Sequence, residues 1–251
     1  KMKKAFKNIK EYAVRFLFTQ RCKYCGRVID IRKESCDSCE NSIKEITGAI
    51  CFKCGKEKKK CDCKGQILFY EKLCAPYYYS GAIKALIWRF KFRNKPDIAD
   101  FLAEQMAKCV VTRYEGYDFD FITYVPTTKK DVKNRGYNQA ELLAKRLAEI
   151  FGVPCENALV KNYETAPQHT LPEMKRSGNL LGVFDVDEKT DIEFKRVLLC
   201  DDVKTTGSTL NECAKTLLIG GASEVFCVTA AITENEKTEK LIEKEDLSPD
   251  W

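Results

Sequence analysis

The apolar positions of this chain follow two different rules. Over residues 3–18, Phe6, Ile9, Ala13, Phe16 and Leu17 recur at helical spacing among lysines, which predicts a short basic amphipathic helix within residues 1–20. Across residues 21–64 large apolar side chains thin out and cysteines take their place, and such a stretch cannot bury a core unaided. Residues 65–76 read as a linker. From residue 77 onward helix and strand signals alternate: helices over 82–90 and 97–109, a strand over 119–125, and a helix over 139–151. The last has Asn138 as its cap, Glu141 three residues on, and Gly152 and Pro154 as its stop. Short β-branched runs at 197–200 and 225–230 bracket a further helix marked by Leu210, Cys213 and Leu217 and ended by Gly220-Gly221. This alternation predicts an α/β domain over 77–235, built on a parallel sheet covered on both faces, with a charged tail over 236–251. No window approaches the roughly 20 uninterrupted apolar residues of a spanning helix, so no membrane span is expected.

Charge and cysteine content sharpen this division. The 251 residues carry a net charge of +6. Residues 1–64 hold 18 Lys or Arg against 8 Asp or Glu, so that segment is +10 and the remainder −4. A basic module beside a nearly neutral one suggests contact with a polyanion. Of the 14 cysteines, eight fall in Cys22-x-x-Cys25, Cys36-x-x-Cys39, Cys51-x-x-Cys54 and Cys61-x-Cys63. A knuckle of this spacing aims two thiolates at one point, and two knuckles complete a four-coordinate zinc site. The eight are therefore candidate ligands for one or two structural zinc ions, with the pairing among knuckles open. Nothing ahead of them reads as a secretory signal, since the apolar stretch near residues 12–18 is short and broken by Arg15, and a reducing cytoplasm is the expected compartment. Cys74, Cys109, Cys155, Cys200, Cys213 and Cys227 sit among apolar neighbours and read as small core residues. Tyr24, Phe52, Phe69, Tyr70, Tyr77, Tyr78 and Tyr79 are candidate base-stacking residues, though each taken singly reads better as packing.

The most specific chemistry lies at 197–209. An apolar run leads into Asp201 and Asp202, then Val203-Lys204-Thr205-Thr206-Gly207-Ser208-Thr209, then a helix. Loop amides and hydroxyls converging on a helix N-terminus suit a phosphate monoester, and two acids at a strand's end can accept hydrogen bonds from neighbouring sugar hydroxyls. The frame of a Walker A loop is absent.

This stretch resembles the signature of type I phosphoribosyltransferases. The resemblance implies that Asp201 and Asp202 hold the ribose hydroxyls of 5-phosphoribosyl 1-pyrophosphate (PRPP) and act in catalysis, that residues 203–209 cradle its 5-phosphate, and that Mg²⁺ accompanies the pyrophosphate. A narrower resemblance, to the ComF family of competence proteins, rests on Tyr124-Val125-Pro126-Thr127-Thr128-Lys129-Lys130 and on Arg135-Gly136-Tyr137-Asn138-Gln139-Ala140-Glu141. It rests also on Gln168, Leu171, Arg176, Asn179, Gly182 and Phe184, on the 79–91 stretch running into Arg-Phe-Lys-Phe at 89–92, and on the paired zinc ribbons. That resemblance implies a pyrophosphate-contacting loop with Thr127, Thr128 and Lys129, and a mobile loop over 163–184 in which Arg176 is a charge partner and His169 a loop residue. It further implies a role in natural transformation: handling single-stranded DNA, with other DNA-uptake proteins as partners, while binding PRPP or a nucleotide. The alternative is an active phosphoribosyltransferase of nucleotide metabolism, for which no acceptor-base pocket is recognisable in the sequence.

Overall fold

The computed structural model describes residues 19–61, 63, 65, 67–161 and 183–234. Its core is a parallel sheet of β1 (Lys72–Cys74), β2 (Tyr77–Tyr78), β3 (Phe121–Tyr124), β6 (Arg196–Lys204) and β7 (Glu224–Ile232). The strand order is β1-β7-β6-β3, with β2 continuing along the β1 side of β7. Both long strands have an apolar central run: Val197 to Cys200 and Val225 to Val228 are fully buried. A strand of that composition needs cover on both faces. Alternate residues of β7 show where the cover comes from. Phe226 meets the rings of Tyr114, Tyr117 and Phe119 at centroid distances of 5.3, 4.8 and 5.5 Å. Its neighbour Cys227 instead lies beside Cys213 of the helix Ser208–Ile219, which joins β6 to β7.

We number the helices α1 (Asp37–Glu40), α2 (Gly81–Phe92), α3 (Ile98–Arg113), α4 (Lys129–Arg135), α5 (Gln139–Phe151) and α6 (Ser208–Ile219). Helix α5 begins and ends where its capping residues predict: Asn138 Oδ1 accepts from Ala140 N at 3.0 Å, and Gly152 closes it in the left-handed conformation. A small antiparallel ribbon of β4 (Leu159–Lys161) and β5 (Phe184–Val186) stands apart from the main sheet.

Three strands depart from the sequence-based expectation in two ways. Lys72–Cys74 lies within the stretch 65–76 and forms β1, paired with Phe226 to Val228 of β7. The strands over 197–200 and 225–230 also run further, so that Asp201 and Asp202 belong to β6 itself and not to the loop after it. In both cases pairing with a distant strand lengthens an element whose own residues signal it weakly.

The cysteine module is packed against the sheet and α2. Ile46 N and Tyr78 N bond to Pro76 O and Lys44 O, Leu73 N bonds to Phe52 O at 2.7 Å, and Glu45 bridges to Tyr77. Arg89 of α2 donates to the carbonyls of Lys23 (3.1 Å) and Tyr24 (2.8 Å) inside the first knuckle. At the start of α2, Gly81 has φ +50°, and a Cβ there would lie 2.4 Å from the backbone oxygen of Ser42. Only glycine lets the two backbones approach this closely. Gly81→Ala is therefore expected to destabilise the protein by about 2 kcal/mol, from left-handed strain plus overpacking. Chemical denaturation of the zinc-loaded protein checks this, and an unchanged midpoint contradicts it.

Candidate functional site

The carboxyl ends of β3 and β6 lie side by side in the sheet, and the crevice beyond such ends is where open α/β sheets bind ligands. A pocket of about 180 Å³ occupies that position. It is lined by Asp201, Asp202 and Thr209, by Val125 to Thr127, by Asn138 to Ala140, and by Lys91, Arg135 and Lys161. Asp201 accepts from the amide of Asp202 at 2.8 Å. Asp202 meets Lys91 Nζ of α2 at 2.9 Å. Burial first, and then the neighbouring charge of Asp202, push the Asp201 carboxyl up to about 7, with Lys91 opposing. Lys91 shows the converse. Burial lowers it, but the charge of Asp202 prevails and its ammonium is held above the usual lysine value. Sequence reasoning singled out the segment ending in Arg-Phe-Lys-Phe without giving Lys91 a role, because its partner lies on a distant strand.

Beyond the acids the chain turns through Thr205, Thr206 and Gly207, the last at φ +88°. Thr206, Ser208 and Thr209 are exposed at the start of α6, and Thr206 Oγ1 accepts from Ser208 N at 3.2 Å. The first-turn amides of a helix lack intrahelical partners, so this end of α6 is open to an anion. Val203 is half-buried on β6. Lys204 is buried beneath the loop, its stem against Gly207 and its ammonium donating to Thr205 O at 3.3 Å, so that it braces the loop from behind.

The opposite wall follows β3. Thr127 borders the pocket, and Thr128 caps α4, accepting from Asp131 N at 3.0 Å. Lys129, read from sequence as part of a loop, is the first residue of that helix. The Thr128 hydroxyl holds Asp131 below the usual carboxylate range, with Arg135 assisting. Asn138 ties the wall together, donating to Val125 O at 3.2 Å. Gln139 is 3% exposed, and its Nε2 has no hydrogen-bond partner among the described residues. A buried amide donor without a partner is costly, and here it borders the pocket. Arg176, Gln168 and His169, expected on the mobile loop, lie outside the described residues. The two ends of that loop are held as the β4–β5 ribbon, whose Lys161 reaches the pocket.

The eight module cysteines resolve into two groups, Cys22/Cys25/Cys36/Cys39 and Cys51/Cys54/Cys61/Cys63, each with its sulfurs within 4.8 Å of one another. The pairing left open by spacing is thus sequential. Sulfur separations of 3.9 Å (Cys25–Cys36) and 3.6 Å (Cys51–Cys63) match the edge of a tetrahedron with Zn–S bonds of about 2.3 Å. Burial opposes ionisation of Cys22, but backbone N–H groups of Cys25, Cys36 and Tyr24 prevail and lower it to about 6. Burial raises Cys39, and neighbouring thiols raise it further. Four sulfurs converging at this spacing fit a divalent cation at their centre, and both groups fit zinc. All fourteen cysteines are free of disulfides. Tyr24, Tyr70, Tyr77, Tyr78 and Tyr79 are buried, so packing accounts for them, while Phe52 is exposed and Phe69 half-exposed.

Two measurements follow from these sites. Metal analysis of the purified chain is expected to give two zinc ions, and Cys22→Ser one. Retention of two ions in that variant would contradict the grouping. Asp201 binds its proton more tightly in the folded chain than in the unfolded one, so its cost to stability is absent below about pH 4, grows as pH rises, and is complete above about pH 7. Asp201→Asn removes that cost. Its melting temperature should match the parent near pH 4 and exceed it by about 3 °C or more at pH 8, whereas a difference independent of pH contradicts the shift.

Comparison with known proteins agrees with both halves of the geometry. Residues 13–76 match the double zinc ribbon domain, and residues 133–249 match the phosphoribosyl transferase domain. Competence protein F of Haemophilus influenzae is 33% identical over 219 residues, covering 83% of this chain and 95% of that protein. Competence protein ComFC of Bacillus subtilis is 30% identical over 74% of this chain and 78% of its own length. The DNA utilization protein YhgH of Salmonella typhi is 28% identical over 82% of this chain and 88% of its own length. Among the described residues no helix is long and apolar enough to cross a membrane. With a zinc-ribbon module packed on a phosphoribosyltransferase-type sheet, and with identity of this extent to competence protein F, the chain belongs to the ComF family of competence proteins.

Proposed function

We propose that this chain serves in DNA uptake or utilization as a cytoplasmic protein that binds single-stranded DNA and holds PRPP, or a related ribose 5-phosphate ligand, at the end of β6. One observation carries the ligand reading: Asp201 and Asp202 border a pocket while the loop from Thr205 to Thr209 opens at the N-terminus of α6. The order of two acids, loop and helix N-terminus suits one ribose 5-phosphate, with its hydroxyls donating to the two carboxylates and its phosphate accepting from the loop amides and the hydroxyls of Thr206, Ser208 and Thr209. Thr127 and Lys129, with the ribbon residue Lys161 and the loop residue Arg176, would face the pyrophosphate. Gln139 supplies a buried donor that such a ligand would satisfy. Mg²⁺ would bind with the ligand and neutralise the pyrophosphate charge. Asp202, already shared with Lys91, would orient the ribose and not act as a nucleophile. The DNA reading draws on the names of the relatives, competence protein and DNA utilization protein, and on the basic charge of the ribbon module.

Calorimetric titration with PRPP and Mg²⁺ tests the ligand reading. The double change Asp201→Asn with Asp202→Asn is expected to weaken binding by about 100-fold or more, since hydrogen bonds to charged groups contribute about 1.5–3 kcal/mol each. Gln139→Leu should weaken it by about tenfold while leaving stability nearly unchanged, because its amide has no partner to lose. Binding that survives the double change removes the acids from the site. Pyrophosphate release in the presence of a nucleobase panel would add transferase activity to the binding role.

A further inference from the structure

A second and larger cavity, of about 1000 Å³, lies between the first zinc site and α2. Arg21, Arg27, Arg89, Arg93 and Lys95 line it, with the half-buried indole of Trp88 among them. No Asp or Glu of the described residues does so. None of the five cations forms an ion pair among the described residues. Arg21 and Arg89 are held by carbonyls, at Gly26 and at Lys23 and Tyr24, which fix their positions without neutralising them. A zinc ion with four thiolates contributes −2, so the cleft keeps a charge of about +3. The chain's own residues 1–18, with six Lys or Arg against one Glu, carry the wrong sign to fill it.

The arrangement of the aromatics identifies the kind of anion. The guanidinium of Arg93 lies 5.0 Å from the Trp88 ring, and Trp88 is followed by Phe92 at 5.8 Å. Phe92 is exposed and carries Arg135 at 5.4 Å, and Arg135 lines the pocket of Asp201 and Asp202. Helix α2 is thus a wall shared by both cavities, and an alternation of cation and ring runs from one to the other. A free phosphate or an acidic peptide does not need rings along its path, and a duplex keeps its base faces stacked inside. Alternating positive charges and partly exposed rings match a chain of phosphates whose bases are free to stack.

We propose that this cleft is the seat of single-stranded nucleic acid, with Trp88 as its stacking platform and Arg21, Arg27, Arg89, Arg93 and Lys95 as its phosphate partners, the strand running along α2 toward the sugar-phosphate pocket. The proposal rests on the DNA-handling reading above and gives it a location.

The test uses the full-length, zinc-loaded protein and a labelled oligothymidylate titrated at several salt concentrations. Arg27→Glu with Arg93→Glu is expected to weaken binding by about tenfold or more at 0.1 M salt and to flatten the salt dependence by about 1.4 in slope, two phosphate contacts at about 0.7 each. Lys58→Glu with Lys59→Glu, equally exposed on the second zinc half, should change affinity less than about twofold. In a Trp251→Phe background the remaining tryptophan reports on the cleft, and its fluorescence should be quenched as the oligonucleotide binds. If the paired glutamate changes lower zinc content or melting temperature, Arg27→Gln with Arg93→Gln is read instead. Equal losses in the two charge-reversed proteins, unaffected binding by the cleft variant, or binding without quenching would each overturn this location while leaving the DNA reading intact. Failure of the parent protein to bind overturns both.

Discussion

Two carboxylates placed side by side at the end of a buried strand repel each other, and the fold must supply a positive charge where β6 stops. Lys91 is that charge. It comes from α2, two residues after Arg89, whose guanidinium grips the carbonyls of the first zinc knuckle. The position of the counter-charge is therefore set by a module remote in sequence from the acids it serves. Asp201 keeps an elevated proton affinity even so, because burial first, and then the charge of Asp202, outweigh the pull of Lys91. The remaining imbalance is part of what prepares the pocket for hydrogen-bond donors and cations.

Much of this was legible in the chain itself, and what was not has physical reasons. The strand, turn and helix around Asp201 to Thr209 could be read because an apolar run, two acids and a glycine between hydroxyl residues occur in one short segment with no long-range partner needed to define them. Helix α5 could be read from its caps. Strand β1 could not, because Lys72, Leu73 and Cys74 are too few to show a period and owe their extended form to β7. Helix α4 escaped notice because Val132 is its one apolar residue, so that it forms on the strength of the Thr128 cap and the left-handed Gly136 alone. Lys91, Gln139 and Lys161 are site residues by proximity, and proximity across a sheet leaves no local trace. The stacking role considered for the tyrosines gives way to packing because those rings fill the contact between ribbon and sheet.

The zinc module is accordingly not an appendage on a tether. It shares a hydrophobic core with the transferase-type domain, from Tyr24 and Ile46 through Tyr78 to Ile232, and it supplies one wall of the larger cavity. Helix α2 borders the pocket of Asp201 and Asp202 on one side and the basic cleft on the other. Anything that shifts this helix is felt on both sides, and that gives a direct physical path for one ligand to influence the other.

The hydrogen bonds that join the module to β1 and β2 have one more consequence. An exposed sheet margin offers unpaired amides and carbonyls to any extended strand that meets it. Here Leu73, Pro76 and Tyr78 spend those groups on Phe52, Ile46 and Lys44, so the ribbon acts as a cover for the margin. A molecule starved of metal would lose that cover before it lost its sheet, and the damage would show as insoluble, self-templating material more than as loose, unfolded chain.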